Sequence, residues 1–252
     1  MTVTVDQSGD DGLRTILLDR VDHRNAITGP MLDLLVQALG DLEQDSDARL
    51  LVLAGAGLDF CTGLDLDEFY GSATADESAR RVESERLGRL LSQVHDCRIP
   101  SVSVVRGRAI GFGATLALSC DVTLASTNAA FSFPEVNFGF LPAFAARVLL
   151  DLTGPKTAYE LLSTGRVLSG AEAKSLGIVS RLIPEEGFSA VSGSCLKSMA
   201  ATADYLVELK RLIRAFEATG FTEGIGIAAE ASTRARGSAL FREAAQQFTS
   251  MA

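Results

Sequence analysis

The sequence predicts an α/β fold whose C-terminal part is helical. Short runs of Leu, Ile and Val alternate with segments of helical spacing over the first two-thirds of the chain. From about Pro142 onward the spacing is mostly helical, and towards the end it is helical only. No sequence repeat or low-complexity linker divides the 252 residues. We therefore predict an α/β core over residues 1–195 and a helical region over 196–252.

Five apolar runs predict the strands. Segments 13–19 and 49–54 are short and rich in Leu, Ile and Val, as in strands buried on both faces. Segments 101–106 and 122–125 follow, and 178–183 is a further strand after the glycine at 177. The order of these runs, with strands outnumbering helices early, favours an α/β core.

Two helices are predicted between these strands. Thr28 is a typical N-cap with Pro30 in the first turn of the first helix. Both helices carry apolar residues at three- and four-residue steps, which should face a core. These residues are Met31, Leu34, Leu35, Ala38, Leu39 and Leu42 in the first helix, and Val82, Leu87, Leu90, Leu91 and Val94 in the second.

Further helices are predicted in the last third. Pro155 opens one segment, which places Ala158, Leu161 and Leu162 inward, and Ser169 with Glu172 forms a capping-box pattern that ends at Gly177. A later stripe consists of Leu206, Leu209, Ile213 and Phe216, and Gly220 ends it. Helices appended in this way are as well suited to cover a neighbouring subunit as to cover their own core.

Composition and charge exclude several function classes. The formal net charge of −9 argues against nucleic acid as a partner. Residues 1–12 lack the apolar run of a signal peptide, and the most apolar stretch, 99–120, is interrupted by Arg106 and Arg108, so no membrane segment is expected. Four scattered cysteines and two histidines argue against a zinc site. We expect a cytoplasmic, reduced protein without a metal.

Three glycine-containing segments are candidates for chemistry. They are 60–66 (FCTGLDL), 107–114 (GRAIGFGA) and 133–142 (FPEVNFGFLP), and the first two follow predicted strands. Glycine at a strand exit lets the backbone turn and point N–H groups outward, and two converging N–H groups form an oxyanion hole. The same glycines also suit ordinary turns and packing. Neither a dinucleotide-binding fingerprint nor a Walker loop is complete.

Taken together and in order, these segments resemble the crotonase family, the enoyl-CoA hydratase/isomerase superfamily. The resemblance begins at Leu18-Asp19-Arg20 with Asn25-Ala26 and continues through the "F-x-x-G-x-D-L" segment at 60–66. It includes the "G-x-x-x-G-x-G…C-D" segment at 107–121 and the "P-E…G-x-x-P" segment that starts at Pro134. It closes at Gly165, Ala171, Ala173 and 177–179, so it spans nearly the whole chain.

The resemblance implies a spiral of ββα units with a C-terminal helical region used in trimerisation. It also implies an acyl-CoA or acyl-carrier thioester whose carbonyl lies between the backbone N–H groups of Leu64 and Phe112. The family usually has glycine where Phe112 stands, so this ring either narrows the acyl pocket or points into the core. By position, the residues expected to contact substrate or CoA are Arg24, Ala26, Thr62, Gly63, Asp65, Leu66 and Gly111.

The acid/base residue implied by the resemblance is Glu135, with a pKa raised by burial beside Phe133, Phe138 and Phe140. The hydratases have a second glutamate where this chain has Thr115. A single carboxylate favours double-bond isomerisation, whereas Thr115 could still hold a water for hydration. The dehydratases and decarboxylases of polyketide β-branching, and a catalytically reduced acyl-CoA-binding subunit, stay open as alternatives.

Several further expectations complete the sequence interpretation. Coenzyme A is expected only as part of the substrate, with no separate cofactor, and the assembly as a homotrimer or a dimer of trimers. Asp65 also suits the N-cap of the next helix. Lys210 and Arg211 are expected either to bind the CoA of a neighbouring subunit or to lie on a solvated helix face. The acyl group is expected to meet a loop over 71–84, whose path the sequence does not define.

Overall fold

The computed structural model describes residues 2–6, 12–71, 76–238, 241–243, 245–246 and 249, which form two compact units, 1–203 and 204–252. The described strands are β1 (Val3–Asp6), β2 (Leu13–Leu18), β3 (Leu50–Gly55), β4 (Ser101–Val105), β5 (Arg108–Ile110), β6 (Val122–Ser126), β7 (Ala130–Ser132), β8 (Leu168–Ser169) and β9 (Arg181–Ile183). The described α-helices are α1 (Gly29–Gln44), α2 (Leu66–Gly71), α3 (Glu77–His95), α4 (Phe112–Leu118), α5 (Ala143–Thr164), α6 (Gly170–Ser175), α7 (Phe188–Ala201), α8 (Ala203–Glu217) and α9 (Phe221–Arg236).

The main sheet of the first unit has six strands in the order β1-β2-β3-β4-β6-β9. Only β1 is antiparallel to its neighbour, and the other pairings are parallel. The first four residues of β3 are all buried, as predicted for a strand covered on both faces. In β2 buried and half-buried residues alternate, so the same expectation is wrong there. One face of β2 is less well covered than the other.

A second sheet has the order β5-β7-β8. After β4 the chain enters this sheet at β5, returns to the main sheet at β6, and leaves it again at β7. This repeated exchange between two sheets, with helices between the strands, is the predicted spiral. The strands of the second sheet, two or three residues long, were not predicted, because segments so short show no alternation of their own.

Helices α1 and α3 pack beside each other in the first unit. The Oγ1 atom of Thr28 accepts the Met31 N–H at 3.3 Å, which confirms the predicted N-cap. Leu34 and Val82, by contrast, were expected to face the core but are 42% and 54% exposed. The loop expected over 71–84 is helical from Glu77 onward, and residues 72–75 lie outside the described part.

The predicted break at Pro155 is confirmed. Gly154, with φ of +75°, divides α5 into two helical halves, and Pro155 opens the second. The Ser169 Oγ accepts the Glu172 N–H at 3.2 Å, whereas the Glu172 carboxylate pairs with Arg166, so only one half of the capping box forms. The strand predicted over 178–183 is regular only in β9.

Helix α7 covers the main sheet. Phe188 and Ala200 pack on a buried cluster with Leu50, Val52 and Val102 from β3 and β4. In the described residues no helix combines the length and the apolar character needed to cross a bilayer. On α8 the stripe of Leu209, Ile213 and Phe216 is 49%, 48% and 38% exposed.

Candidate active site

Two backbone segments run side by side at the centre of the candidate site. The Cys61 N–H donates to the Arg108 carbonyl at 3.1 Å, and the Ile110 N–H donates back to the Cys61 carbonyl at 3.0 Å. Gly63 has φ of +99°, and a Cβ atom there would lie 3.1 Å from the Ile110 oxygen and 3.7 Å from the Phe112 nitrogen. Gly63 therefore allows the chain before Leu64 to approach the chain before Phe112.

The N–H groups of Leu64 and Phe112 are the predicted oxyanion donors. The neighbours of Leu64 are paired with Ile27, since the Ile27 N–H donates to Gly63 and the Asp65 N–H donates to Ile27, both at 2.8 Å. Phe112 is the first residue of α4, so its N–H has no acceptor within the helix. Among the described residues neither donor N–H has a hydrogen-bond acceptor. Both N–H groups are therefore available to an acceptor atom of a ligand.

The carboxylate of Glu135 lies against this pair of segments. Glu135 begins a short 3₁₀ turn, Glu135–Phe138, and its Oε1 is 3.1 Å from the position of a Cβ atom on Gly111. Gly111 has φ of +54°, so glycine is required there both by the backbone and by the nearby carboxylate. The three candidate segments therefore converge, with Glu135 directly beside the donor segment.

Burial raises the pKa of Glu135. Its Oε2 atom is buried and has no hydrogen-bond partner among the described residues. Burial raises the pKa of Glu135 above its ordinary value of 4.5, and the backbone N–H of the same residue acts in the opposite direction. Phe133 is 1% exposed, as expected, but Phe138 is 45% exposed and does not provide the apolar cover predicted for it.

Thr115 stands where the resemblance places a second carboxylate in hydratases. Its hydroxyl donates to the Gly111 carbonyl at 3.0 Å, and the residue is 1% exposed. The single hydroxyl proton is therefore already used, and only acceptor capacity is left for a water. The ring of Phe112 is 7% exposed and meets the Phe144 ring edge-on at 6.2 Å. That ring packs inside the protein beside α5.

Buried polar side chains hold the first donor segment in place, a role that the sequence interpretation missed. The fully buried Asn25 amide donates to the carbonyls of Ala56 and Asp59 at 2.9 Å and of Phe60 at 3.2 Å. Its oxygen accepts the Arg20 N–H at 2.9 Å. The resemblance included Asn25 together with Arg20 and Ala26, but nothing in that segment pointed to these carbonyls.

Two ion pairs flank the same segment. Arg20 contacts the Asp65 carboxylate at 2.6 Å, and Arg108 contacts that of Asp59 at 2.7 Å. These guanidinium groups hold the pKa of each carboxyl below its usual value of 3.8. The Asp65 Oδ1 also accepts the Glu68 N–H at 3.2 Å, which confirms the predicted cap of α2. Asp65 thus anchors the backbone directly after the donor Leu64 to Arg20 and to the first turn of α2.

The residues predicted to contact CoA lie around this segment. The Arg24 carbonyl accepts both the N–H and the hydroxyl of Thr62, at 3.2 and 3.3 Å, and the Arg24 side chain is exposed. Ala26 is tied to Arg20 through its carbonyl at 3.0 Å, and Leu66 is 40% exposed at the start of α2. Arg24 therefore contacts the segment 60–66 directly, whereas Gly111 lies on the neighbouring segment beside Glu135.

Comparison with known proteins assigns the family. A sequence model described as enoyl-CoA hydratase/isomerase matches residues 8–249. The chain belongs to the enoyl-CoA hydratase/isomerase family. A Thermus thermophilus protein provisionally assigned as an enoyl-CoA hydratase is 34% identical over 236 residues, which cover 92% of each chain. The peroxisomal Delta(3,5)-Delta(2,4)-dienoyl-CoA isomerase of Arabidopsis thaliana is 32% identical over 183 residues, covering 69% of this chain and 66% of the isomerase.

A solved structure agrees on the fold. A Legionella pneumophila protein provisionally assigned as an enoyl-CoA hydratase/isomerase (crotonase) superimposes with a TM-score of 0.92 at 24% identity. The superposition covers 99% of this chain and 96% of that one. The predicted crotonase-like α/β fold is thereby confirmed, and the chain is an enoyl-CoA hydratase/isomerase-family enzyme that acts on acyl-CoA.

Proposed function

We propose that this enzyme isomerises the double bond of an enoyl-CoA thioester, with Glu135 as its single proton carrier. The observation that carries this proposal is the buried Oε2 of Glu135, which has no partner among the described residues. The other oxygen of the same carboxylate is 3.1 Å from the position of a Cβ atom on Gly111, the residue before the donor Phe112. A desolvated carboxylate of this kind is a stronger base than an exposed one and holds a proton more readily once it has it.

The proton moves within one substrate. The Glu135 carboxylate removes a proton from the carbon next to the thioester carbonyl of a 3-enoyl group, and the electron pair moves onto the carbonyl oxygen. The N–H groups of Leu64 and Phe112 donate to that oxygen in the resulting dienolate, each worth roughly 2.7–4 kcal/mol. The protonated Glu135 then returns the proton to the fourth carbon, which gives the 2-enoyl thioester and restores the carboxylate.

Hydration or dehydration is the second candidate, including the dehydration of carrier-protein thioesters in polyketide β-branching. The similarity to proteins named as hydratases favours it. The Thr115 hydroxyl weighs against it, because its proton is donated to Gly111 and no second carboxylate stands at that position. A catalytically reduced acyl-CoA-binding subunit is the third candidate, with Phe112 in place of the usual glycine as its basis.

The binding and assembly properties are part of the same proposal. CoA enters as part of the substrate, without a further cofactor, and the exposed Arg24 side chain is its candidate phosphate partner. The exposed apolar stripe of α8 supports a homotrimer or dimer of trimers, in which a neighbouring subunit would cover it. We place the enzyme in the cytoplasm.

Deuterium incorporation tests the reaction. The pure enzyme is incubated in D₂O with 3-enoyl-CoA and, separately, with 2-enoyl-CoA, and the products are analysed by mass spectrometry and NMR. Isomerisation moves the double bond between the third and second carbons, which NMR detects directly, and it adds deuterium at the second or fourth carbon in those turnovers in which protonated Glu135 exchanges with solvent. Hydration consumes the 2-enoyl thioester and adds the mass of D₂O. If no chain length yields either product, thermal stabilisation by CoA alone supports the reduced subunit.

The role of Glu135 is tested by substitution. Glu135→Gln should lower kcat by about 10²–10⁴-fold, because the amide cannot accept the proton. Glu186→Gln, which changes an exposed glutamate in the same unit, is the matched control and should retain the wild-type rate. An unchanged rate in Glu135→Gln would refute the assignment of this residue as the base.

A further inference from the structure

Helix α2 contacts the turn that carries Glu135 through aromatic side chains. The Tyr70 hydroxyl donates to the Phe138 carbonyl at 2.7 Å. The rings of Phe69 and Phe140 meet edge-on with their centroids 4.3 Å apart, and those of Tyr70 and Phe140 lie 5.4 Å apart at a tilt of 33°. We call the set of Phe69, Tyr70 and Phe140 the aromatic clasp.

The Glu135 turn has little stability of its own. It is a 3₁₀ turn of four residues, and the hydrogen-bond geometry of this conformation is poorer than that of an α-helix. Its outer residues Val136 and Phe138 are 39% and 45% exposed. The Phe140 N–H donates to the Glu135 carbonyl at 2.9 Å, so the ring that meets α2 belongs to the residue that closes the turn. Contacts at Phe138 and Phe140 therefore help to fix the position of Glu135.

The other end of α2 is attached to the first oxyanion donor. The helix follows Leu64 and Asp65 directly, and the Asp65 carboxylate both caps it and pairs with Arg20. A six-residue helix of this kind links the two halves of the site over a short distance. Movement of its aromatic end would change the distance between the Leu64 N–H and the Glu135 carboxylate.

We propose that Tyr70 is a positioning residue for Glu135, and that the aromatic clasp holds this carboxylate in a water-poor position over the oxyanion donors. Tyr70 takes no part in proton transfer itself. Its hydroxyl fixes the Phe138 carbonyl, its ring supports Phe140, and these contacts keep the turn closed. The inference rests on the proposed role of Glu135 as the base, and it extends the site to a helix that none of the predicted acid/base residues occupies.

Tyr70→Phe tests the hydroxyl alone, because the substitution keeps all three rings of the aromatic clasp. We expect kcat to fall about fivefold to tenfold while KM changes less than twofold, because the base is misplaced but the substrate still binds. The acidic limb of the pH profile of kcat/KM should move to lower pH, because water that reaches Glu135 reduces the effect of burial on its pKa. No charged side chain contributes to the Glu135 shift in the described part of the chain, so this limb reports burial.

Tyr159→Phe is the matched control. Tyr159 lies on α5 and is 77% exposed, so this variant should match the wild type in rate and pH profile. A merely stabilising role for Tyr70 would lower the melting temperature without moving the acidic limb. If kcat and the acidic limb of Tyr70→Phe both equal the wild-type values, the inference is overturned.

Amide hydrogen exchange separates this inference from the proposed function. In Tyr70→Phe the Phe140 N–H should exchange several times faster than in the wild type, with the rate in α7 unchanged, because only the turn is released. If Tyr70→Phe shows faster exchange but the enzyme transfers no proton on any thioester, the Tyr70 hydroxyl does hold the turn. The assignment of Glu135 as the base is then refuted. Unchanged exchange would show that the Tyr70 hydroxyl does not hold the turn, whatever reaction the enzyme catalyses.

Discussion

Gly113 lies in α4 at the point where this helix crosses the first donor segment. A Cβ atom on Gly113 would be 2.5 Å from the Cys61 carbonyl oxygen, 2.7 Å from its Sγ and 2.8 Å from its Cβ. Ordinary van der Waals contact begins at 3.4 Å, so Gly113→Ala must separate the two segments by 3.4 − 2.5, or about 0.9 Å. The segment that would move leads two residues later to Gly63 and then to Leu64.

The expected magnitudes follow from this displacement. Alanine inside a helix is favoured over glycine by about 0.5–1 kcal/mol, whereas overpacking a well-filled core costs about 1–3 kcal/mol. The difference predicts that Gly113→Ala lowers the free energy of unfolding by at most about 2.5 kcal/mol. Because a misplacement of about 1 Å costs on the order of 10²-fold in rate, kcat should fall by about that factor.

Two helical glycines in open surroundings provide the matched controls. Neither Gly40 in α1 nor Gly193 in α7 would bring a Cβ atom within 4 Å of another group, so Gly40→Ala and Gly193→Ala should stabilise the protein by about 0.5–1 kcal/mol. Urea denaturation measures stability, and deuterium incorporation into the thioester measures rate. Wild-type activity together with a stability gain in Gly113→Ala would refute the close contact between α4 and Cys61.

Three further outcomes follow from buried groups of the site. Asn25→Ala should lower the free energy of unfolding by about 2–4 kcal/mol in urea denaturation, because three carbonyls lose their donor, whereas Asn128→Ala at an exposed position should cost little. Since the folded protein raises the pKa of Glu135, ionisation of this residue costs stability as the pH rises through the folded value. Glu135→Gln should therefore raise the melting temperature at pH 7 and lose this advantage below pH 4, and an equal gain at both pH values would contradict the raised pKa of Glu135. Burial raises the pKa of Cys61 to about 12, so a thiol reagent followed by mass spectrometry should label Cys195 in the native protein and Cys61 only after unfolding.

The elements that the sequence predicts well are those whose signal is local. Thr28 and Pro30 start α1 as expected, and Gly154 with Pro155 divides α5, because caps and breaks act on the backbone of their own turn. The second sheet was missed because β5, β7 and β8 are two or three residues long and are stabilised by distant partners. Leu34 and Val82 were wrongly expected to face the core for a related reason. The periodicity shows which face of a helix is apolar, but not how much of that face neighbouring elements cover.

The site was predicted as a set of segments, and its detailed contacts were not. The resemblance to the crotonase family, carried by ordered glycine motifs, pointed to Leu64, Phe112 and Glu135, and the structure brings the three segments that hold them together. The contribution of Asn25 depends on carbonyls more than 30 positions away, which no local pattern contains. Tyr70 was missed for the same reason, since its hydrogen bond to Phe138 spans 68 positions.

The donors of the candidate oxyanion hole are main-chain groups held by the pairing of Cys61 with the strand that ends at Ile110. Their direction is set by that pairing and by glycines at 63 and 111, and it does not depend on the side chains at 64 and 112. The charge-stabilising part of the candidate site can therefore stay constant while the half-buried side chain at position 64 varies in bulk. A library randomised at this position should keep enolate formation, whereas bulk at position 112 is limited by the contact of the buried Phe112 ring with Phe144.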